Sequence, residues 1–286
     1  MMTTNSNLIK PFIKWVGGKS EILNDVLNKF PTQINNYYEL FLGGGSVLFG
    51  LLNLIEQKKI SIDGKIYACD YNETLIYVYK HIQNNPLELS KRIDNCMEYY
   101  NDADDKQKIY YWFRNMYNNL KTGDIDKSAL FIILNKLCFR GLYRENKKGE
   151  FNVSYGNYKK PLIPDLKTIL NISVSIQKVI FNHKSFIDVV NKPKKGDFVY
   201  TDPPYLPIDN DFVNYTSSGF NKDMHDTLFK SLKQYKSKKI KFLMSNSDNK
   251  KLYDIFIKCQ IHKIIVSRRI NSKKPNSKTY EVLINN

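Results

Sequence analysis

Asp202-Pro203-Pro204-Tyr205 constrains this chain more than any other stretch. Two successive prolines hold φ near −65° and offer no backbone N–H, so the run ends a strand and leaves an open, acceptor-rich turn. Residues 197–201 (Asp-Phe-Val-Tyr-Thr) follow a Lys-Lys-Gly turn and read as a buried strand, which puts Asp202 at a strand's carboxyl end, where open α/β sheets bind ligands. A carboxylate at the first position and the backbone carbonyl of Pro203 at the second can accept both N–H groups of an exocyclic amine. That localises the amine's lone pair, and Tyr205 offers a ring face for stacking. Taken alone, the four residues also fit a Pro-Pro turn capped by an aspartate.

The charge balance says which partner to expect. Lys and Arg number 44 against 28 Asp and Glu, a net charge of +16 over 286 residues, which favours a polyanion and nucleic acid before membrane. Biased codon usage with solvated surface lysines would give the same count. Cys69, Cys96, Cys138 and Cys259 are scattered, without CxxC spacing or histidines at metal-ligand spacing, so reduced thiols, an intracellular location and no zinc or other metal are expected. No stretch approaches 18 apolar residues, and no membrane partner is expected.

Strand and helix signals alternate in the first third: a short strand at 36–41, a Gly43-Gly44-Gly45 turn, a helix from Ser46 to Glu56, and a second strand at 65–70. This is a βαβ unit and predicts a parallel sheet. From about Thr74 to Asn135 the periodicity is helical, and 139–164 reads as a basic, aromatic loop. Strands resume at 178–181, before Asp202, at 240–244, at 262–266 and at 280–284. The last two are joined by a loop too short for a crossover helix and should form an antiparallel hairpin. The fold class predicted is α/β, a Rossmann-like sheet with an antiparallel C-terminal hairpin. Residues 1–73 and 165–286 form its catalytic domain, interrupted by a helical insertion over 74–164.

Two glycine motifs narrow the ligand. Gly18-Lys19-Ser20 invites a P-loop reading, but Ile13 stands where that loop needs glycine, and no strand precedes it. Phe41-Leu42-Gly43-Gly44-Gly45 follows a strand and opens a helix, yet Leu48 stands where a dinucleotide fingerprint needs its last glycine. The loop therefore argues against a pyrophosphate cofactor while allowing close backbone approach to a smaller ligand. Asp70 ends the next strand at the place of a ribose-binding carboxylate, and as an isolated residue it equally fits a helix cap.

With these motifs in order, the chain resembles the Dam-type (D12 class, alpha group) site-specific DNA adenine-N6 methyltransferases. The resemblance runs from Phe12 to Leu283 and includes Phe41-x-Gly43-x-Gly45, Gly141-Leu142-Tyr143-Arg144, residues 149–153, Tyr158-Lys159-Lys160-Pro161, residues 196–200 and the Asp-Pro-Pro-Tyr run. It implies S-adenosyl-L-methionine as methyl donor and double-stranded DNA as partner, with a restriction endonuclease as a possible genomic neighbour. By motif position Trp15 and Lys19 face the cofactor's amino-acid part, Phe41 and Gly43 to Gly45 line its pocket, Asp70 holds its ribose, and Phe186 packs near its adenine or serves as core. Asp202, Pro203 and Tyr205 would be catalytic, Asp202 also bordering the cofactor. The sulfonium activates the methyl itself, so transfer requires no metal.

In-line attack on the methyl cannot be made by a stacked base, so the target adenine is expected to flip out onto Tyr205, with 206–220 as a closing lid. For the target, Lys14 and Tyr158 match positions that read the first base pair of GATC, Leu142 and Ser154 those around thymine, and Arg144 the last pair. Ser154 stands where proline is common and Arg140 where asparagine is common. The basic loop with Arg268, Arg269, Lys273, Lys274 and Lys278 reads as a phosphate clamp. Rival readings are an RNA or protein-amide methylase, against which Asp202 stands where glutamine-modifying enzymes present asparagine, and a DNA-binding module without catalysis.

Overall fold

The computed structural model describes residues 8–206, 220–268 and 277–286. Along the chain the main strands are β1 (Tyr37–Glu39), β2 (Ile66–Asp70), β3 (Val179–His183), β4 (Phe198–Thr201), β5 (Lys241–Ser247), β6 (Gln260–Arg268) and β7 (Ser277–Asn285). The main helices are α1 (Ser46–Glu56), α2 (Glu73–Asn84), α3 (Pro86–Asp102), α4 (Lys106–Asn119), α5 (Ile125–Leu137), α6 (Leu166–Ser175) and α7 (Lys222–Tyr235). The chain divides into two compact units. The first comprises Met1–Gly18, Gly43–Asn53 and Asn72–His183, and the second Lys19–Leu42, Leu54–Tyr71 and Lys184–Asn286.

The second unit is built on a sheet in the order β2-β1-β4-β5-β7-β6. β2, β1, β4 and β5 run parallel, and β7 is antiparallel to both β5 and β6. The expected hairpin is therefore present, with Arg268 opposite Ser277 at its open end. Parallel strands are buried on both faces and need continuous apolar runs. β4 is buried at all four positions, and β5 at all but Lys241. Its core brings together Val199, Phe242 and Met244 from strands with Leu228, Leu232 and Tyr235 from α7.

The register of β1 and β4 is fixed at their amino ends by Asp197. One of its carboxylate oxygens accepts from the Asn36 backbone N–H (3.0 Å) and from the Asn35 and Asn36 side-chain amides (2.8 and 2.9 Å). The other accepts from the Lys194 N–H at 2.8 Å. Four donors on one carboxylate repay its burial, so the Gly196-Asp197 start of this motif is a staple rather than a ligand site.

The first unit is mainly helical. α5 is buried from Ser128 to Asn135, as a helix apolar on every side requires, and α2, α3 and α4 pack around it. Side-chain caps set the helix starts: Asn72 for α2, Asp105 for α4, Asp124 for α5 and Asp165 for α6 each accept from a backbone N–H in the first turn. Pro86 occupies the first turn of α3, where its missing N–H costs nothing.

Candidate active site

Sheet register assembles the first part of the site. Glu39 pairs with Ala68 on one side and with Tyr200 on the other, so Phe41, Asp70 and Asp202 stand two residues further on, at one level beyond three adjacent parallel strands. These three sequence-read residues come together because each ends its strand at the carboxyl edge of the sheet.

Asp202 is held by Lys19, the residue that motif position sets against the cofactor's amino-acid part. Lys19 Nζ lies 2.6 Å from one of its carboxylate oxygens, and the two side chains are 6% and 19% exposed. The other oxygen, Oδ1, is buried and has no hydrogen-bond partner. Burial raises the Asp202 pKa above its ordinary value, and the Lys19 ammonium, then the neighbouring Tyr205 hydroxyl, oppose that rise. The lysine thus favours the charged form while one oxygen remains an open acceptor.

Tyr205 adjoins this pair. Its ring centroid is 5.1 Å from Lys19 Nζ, and its hydroxyl donates to Glu281 Oε2 at 2.8 Å. Burial, then the Asp202 and Glu281 charges, push the phenol well above its ordinary pKa, so it stays protonated. Burial also raises the Glu281 carboxyl, against the pull of Lys19. The next residue is gripped by β5: Leu206 N–H donates to Asn246 Oδ1 (3.1 Å), and Ser247 Oγ donates to the Leu206 carbonyl (2.6 Å). Pro203 is buried and Pro204 exposed. Glu281, Asn246 and Ser247 escaped sequence reasoning; a lone glutamate in an apolar terminal strand was the available signal for the first.

Phe41, Phe186 and Phe220 form an aromatic cluster with centroids 5.3 to 5.7 Å apart. His225 packs edge-on against Phe220 at 4.7 Å. Lys184 N–H donates to the Asp70 carbonyl at 3.1 Å, which sets Phe186 just past the end of β2. Aromatic faces, a strand-end carboxylate and an acceptor with a free lone pair are a set that fits an adenosyl group carrying a cationic centre.

In the first unit, Trp15 lies against the glycine turn. A methyl at Gly43, where φ is +50°, would sit 2.7 Å from Trp15 Cδ1, and one at Gly45 (φ +72°) 2.6 Å from the Tyr79 hydroxyl. The missing side chains leave room for Trp15 and Tyr79 against the turn that the sequence assigns to ligand approach. Trp15 also stacks on Tyr143 at 5.4 Å and 23°.

One buried amide ties Lys14, expected to read a base, to the loop at Gly141. Asn135, near the end of α5, accepts from Lys14 N–H (2.8 Å) and donates to the carbonyls of Lys14 (2.8 Å) and Gly141 (3.3 Å). Lys14 Nζ sits 4.7 Å from the Tyr158 ring centre, and Tyr158 Oη accepts from Arg140 N–H at 2.8 Å. Arg140 adopts a left-handed φ of +57°, which suits the asparagine common there and costs an arginine strain. Arg144 is exposed, its Nε donating to Asn152 Oδ1 at 2.8 Å. Leu142 is half-buried and Ser154 exposed, the Ser154 carbonyl accepting from Phe139 N–H at 2.8 Å. Arg268 ends β6, while Arg269, Lys273 and Lys274, and 207–219 of the expected lid, lie outside the described residues. Among the described residues there is no group of three or more potential metal ligands and no helix long and apolar enough to cross a membrane.

Comparison with known proteins places this geometry. Residues 15–270 match the family model of the D12 class N6 adenine-specific DNA methyltransferases. Type II methyltransferase M.MjaIII of Methanocaldococcus jannaschii is 37% identical over 97% of this chain and 99% of its own length. Type II methyltransferase M1.LlaDCHI of Lactococcus lactis subsp. cremoris is 30% identical over 100% and 98%. A DNA adenine methylase of Escherichia coli is 27% identical over 96% and 94%. A sheet ending in Asp70, Phe41 and Asp202, and full-length similarity to such enzymes, lead to one assignment: the chain belongs to the D12 class N6 adenine-specific DNA methyltransferases.

Proposed function

We propose that this protein transfers a methyl group from S-adenosyl-L-methionine to N6 of the central adenine of GATC in double-stranded DNA, acting on a base flipped out of the helix. The observation that carries the mechanism is Asp202, one oxygen on Lys19 and the other buried and open. Oδ1 and the Pro203 carbonyl would accept the two N6–H bonds, concentrating the nitrogen lone pair toward the methyl. Tyr205 supplies the stacking face. The bound cofactor contributes a methyl already activated by its sulfonium charge. After transfer N6 loses a proton, and Asp202, whose burial favours its protonated form, is the first acceptor. Asp70 holds the ribose, Phe41 and Phe186 line the adenine side, and Trp15, Lys19, Gly43 and Gly45 border the amino-acid part.

Residues 74–164, with Lys14 from outside the segment, form the recognition insertion. Lys14 and Tyr158 read the first base pair, Leu142 and Ser154 the thymine, and Arg144 the outer guanine. The mutual packing of Lys14, Tyr158 and Arg140 supports this reading. Arg268, Lys273 and Lys274 clamp phosphates. The Type II names of two relatives support a modification role beside a restriction endonuclease in an intracellular setting.

Radiolabelled methyl transfer to GATC duplexes, single-base variants, single strands, RNA and protein tests the assignment. Transfer confined to GATC duplexes is expected; labelling of RNA or protein alone would overturn it. Arg144→Ala should relax discrimination at the outer pair by about 1–3 kcal/mol. Lys273→Ala and Lys274→Ala should weaken every duplex alike and shallow the salt dependence by about one log–log unit per lost contact.

A further inference from the structure

Tyr205 and Leu206 are consecutive residues, and each is held by one of two strands that pair with each other. Ser247 on β5 stands directly opposite Glu281 on β7. Ser247, with Asn246, grips the Leu206 backbone through two hydrogen bonds, and Glu281 takes the Tyr205 hydroxyl. The turn that carries the catalytic motif therefore has a backbone anchor and a side-chain anchor at one rung of the β5–β7 ladder. The second anchor belongs to a residue 76 positions away in sequence.

We infer that Glu281 is a positioning residue of the methyl-transfer site, holding the far end of the Tyr205 ring through its hydroxyl so that the ring meets the target base at the place Asp202 requires. The inference rests on the function proposed above.

Three features of the arrangement carry it. The first side-chain torsion of a tyrosine has three staggered wells, and a change of well carries the hydroxyl end of the ring to a different place. A charge-assisted bond from the hydroxyl to a carboxylate removes that freedom. The carboxylate sits on the far end of the ring from the backbone anchor, so the motif is held at both ends. Glu281 also shares Lys19 with Asp202 as a charge partner, which places it within the same electrostatic group. Its proper test must therefore separate hydrogen bonding from charge.

Glu281→Gln retains an oxygen acceptor without the charge, Glu281→Ala removes both, and Tyr205→Phe removes the hydroxyl but keeps the ring. Single-turnover transfer with saturating cofactor is expected to fall about five- to tenfold in Glu281→Ala and equally in Tyr205→Phe, and to remain within about threefold of wild type in Glu281→Gln. Glu281→Ala in a Tyr205→Phe background should cost nothing further. Full additivity of the two losses, an unchanged rate in Glu281→Ala, or a Glu281→Gln as impaired as Glu281→Ala would overturn the inference.

A second readout is independent of methyl transfer. In protein carrying tyrosine labelled with carbon-13 at Cζ, the resonance lost in Tyr205→Phe should shift in Glu281→Gln and in Glu281→Ala. An unmoved resonance would refute the contact whatever the activity. A shifted resonance in a wild-type protein that methylates no DNA would overturn the proposed function and leave the positioning contact standing.

Discussion

Lys19→Met removes the cation paired with Asp202 among the described residues and leaves the carboxylate in place. At a separation of 2.6 Å the pair attracts by roughly 6 kcal/mol in an effective dielectric of about 20, before the cost of desolvating both groups. Because that cost is met by both partners but escaped only by one, deleting the lysine should destabilise the fold by about 3 kcal/mol, the low end for a buried pair since Asp202 keeps 19% exposure. For 286 residues that is a fall in Tm of roughly 5 °C. The effect depends on pH in a defined direction. Burial raises the folded pKa of Asp202 above its unfolded value, so its ionisation costs stability as pH rises through the folded pKa and the cost persists above it. Without Lys19 the pKa rises further, so the variant should lose more stability at neutral pH than at a pH near the unfolded carboxylate value of about 4. Transfer requires the carboxylate, so the acid limb of the single-turnover rate should also move to higher pH. Thermal melts and transfer rates across that range check both. Equal destabilisation at the two pH values, with an unmoved acid limb, would refute the role given to Lys19.

Asn135→Ala removes three hydrogen bonds that tie Lys14 to the loop at Gly141; we expect a loss of about 1–3 kcal/mol in denaturant unfolding and weaker discrimination between GATC and single-base variants in competition assays. Gly43→Ala puts a methyl 2.7 Å from the Trp15 ring at a φ of +50°, so it should cost about 1–3 kcal/mol and weaken cofactor binding in calorimetry. Burial lowers the His225 pKa from 6.5 to about 4, so the unfolded chain binds its proton first and the fold loses stability as pH falls from 6.5 to about 4. His225→Gln should flatten that part of the stability curve, measured by urea unfolding at several pH values.

What could be read from the sequence was whatever depends on neighbours along the chain. α1 spans Ser46–Glu56 as expected, because a glycine turn precedes an unbroken apolar run. Asp70, Phe41 and Asp202 were recognisable because each closes a short apolar strand, and parallel pairing then levels them without further information. α6 and α7 were passed over although Asp165 and Asn221 cap them, their apolar positions being diluted by serine, lysine and asparagine. Contacts between distant segments left no local trace. Lys19 reaches Asp202, Asn135 reaches Lys14 across 121 positions, and Tyr205 reaches Glu281, each set by topology alone. A glycine turn reads the same in sequence whether its missing side chains admit a ligand or a packed tryptophan, and Trp15 lies against this one.

The central claim is that Asp202 acts on the amine in the transition state and not on cofactor affinity. Asp202→Ala, assayed for single-turnover methyl transfer to a GATC duplex at saturating cofactor alongside Asp70→Ala, tests it most directly. Asp202→Ala should lower the rate on the order of 10²-fold or more with cofactor still bound, and Asp70→Ala should lose mainly cofactor affinity. Near-normal turnover by Asp202→Ala would contradict it.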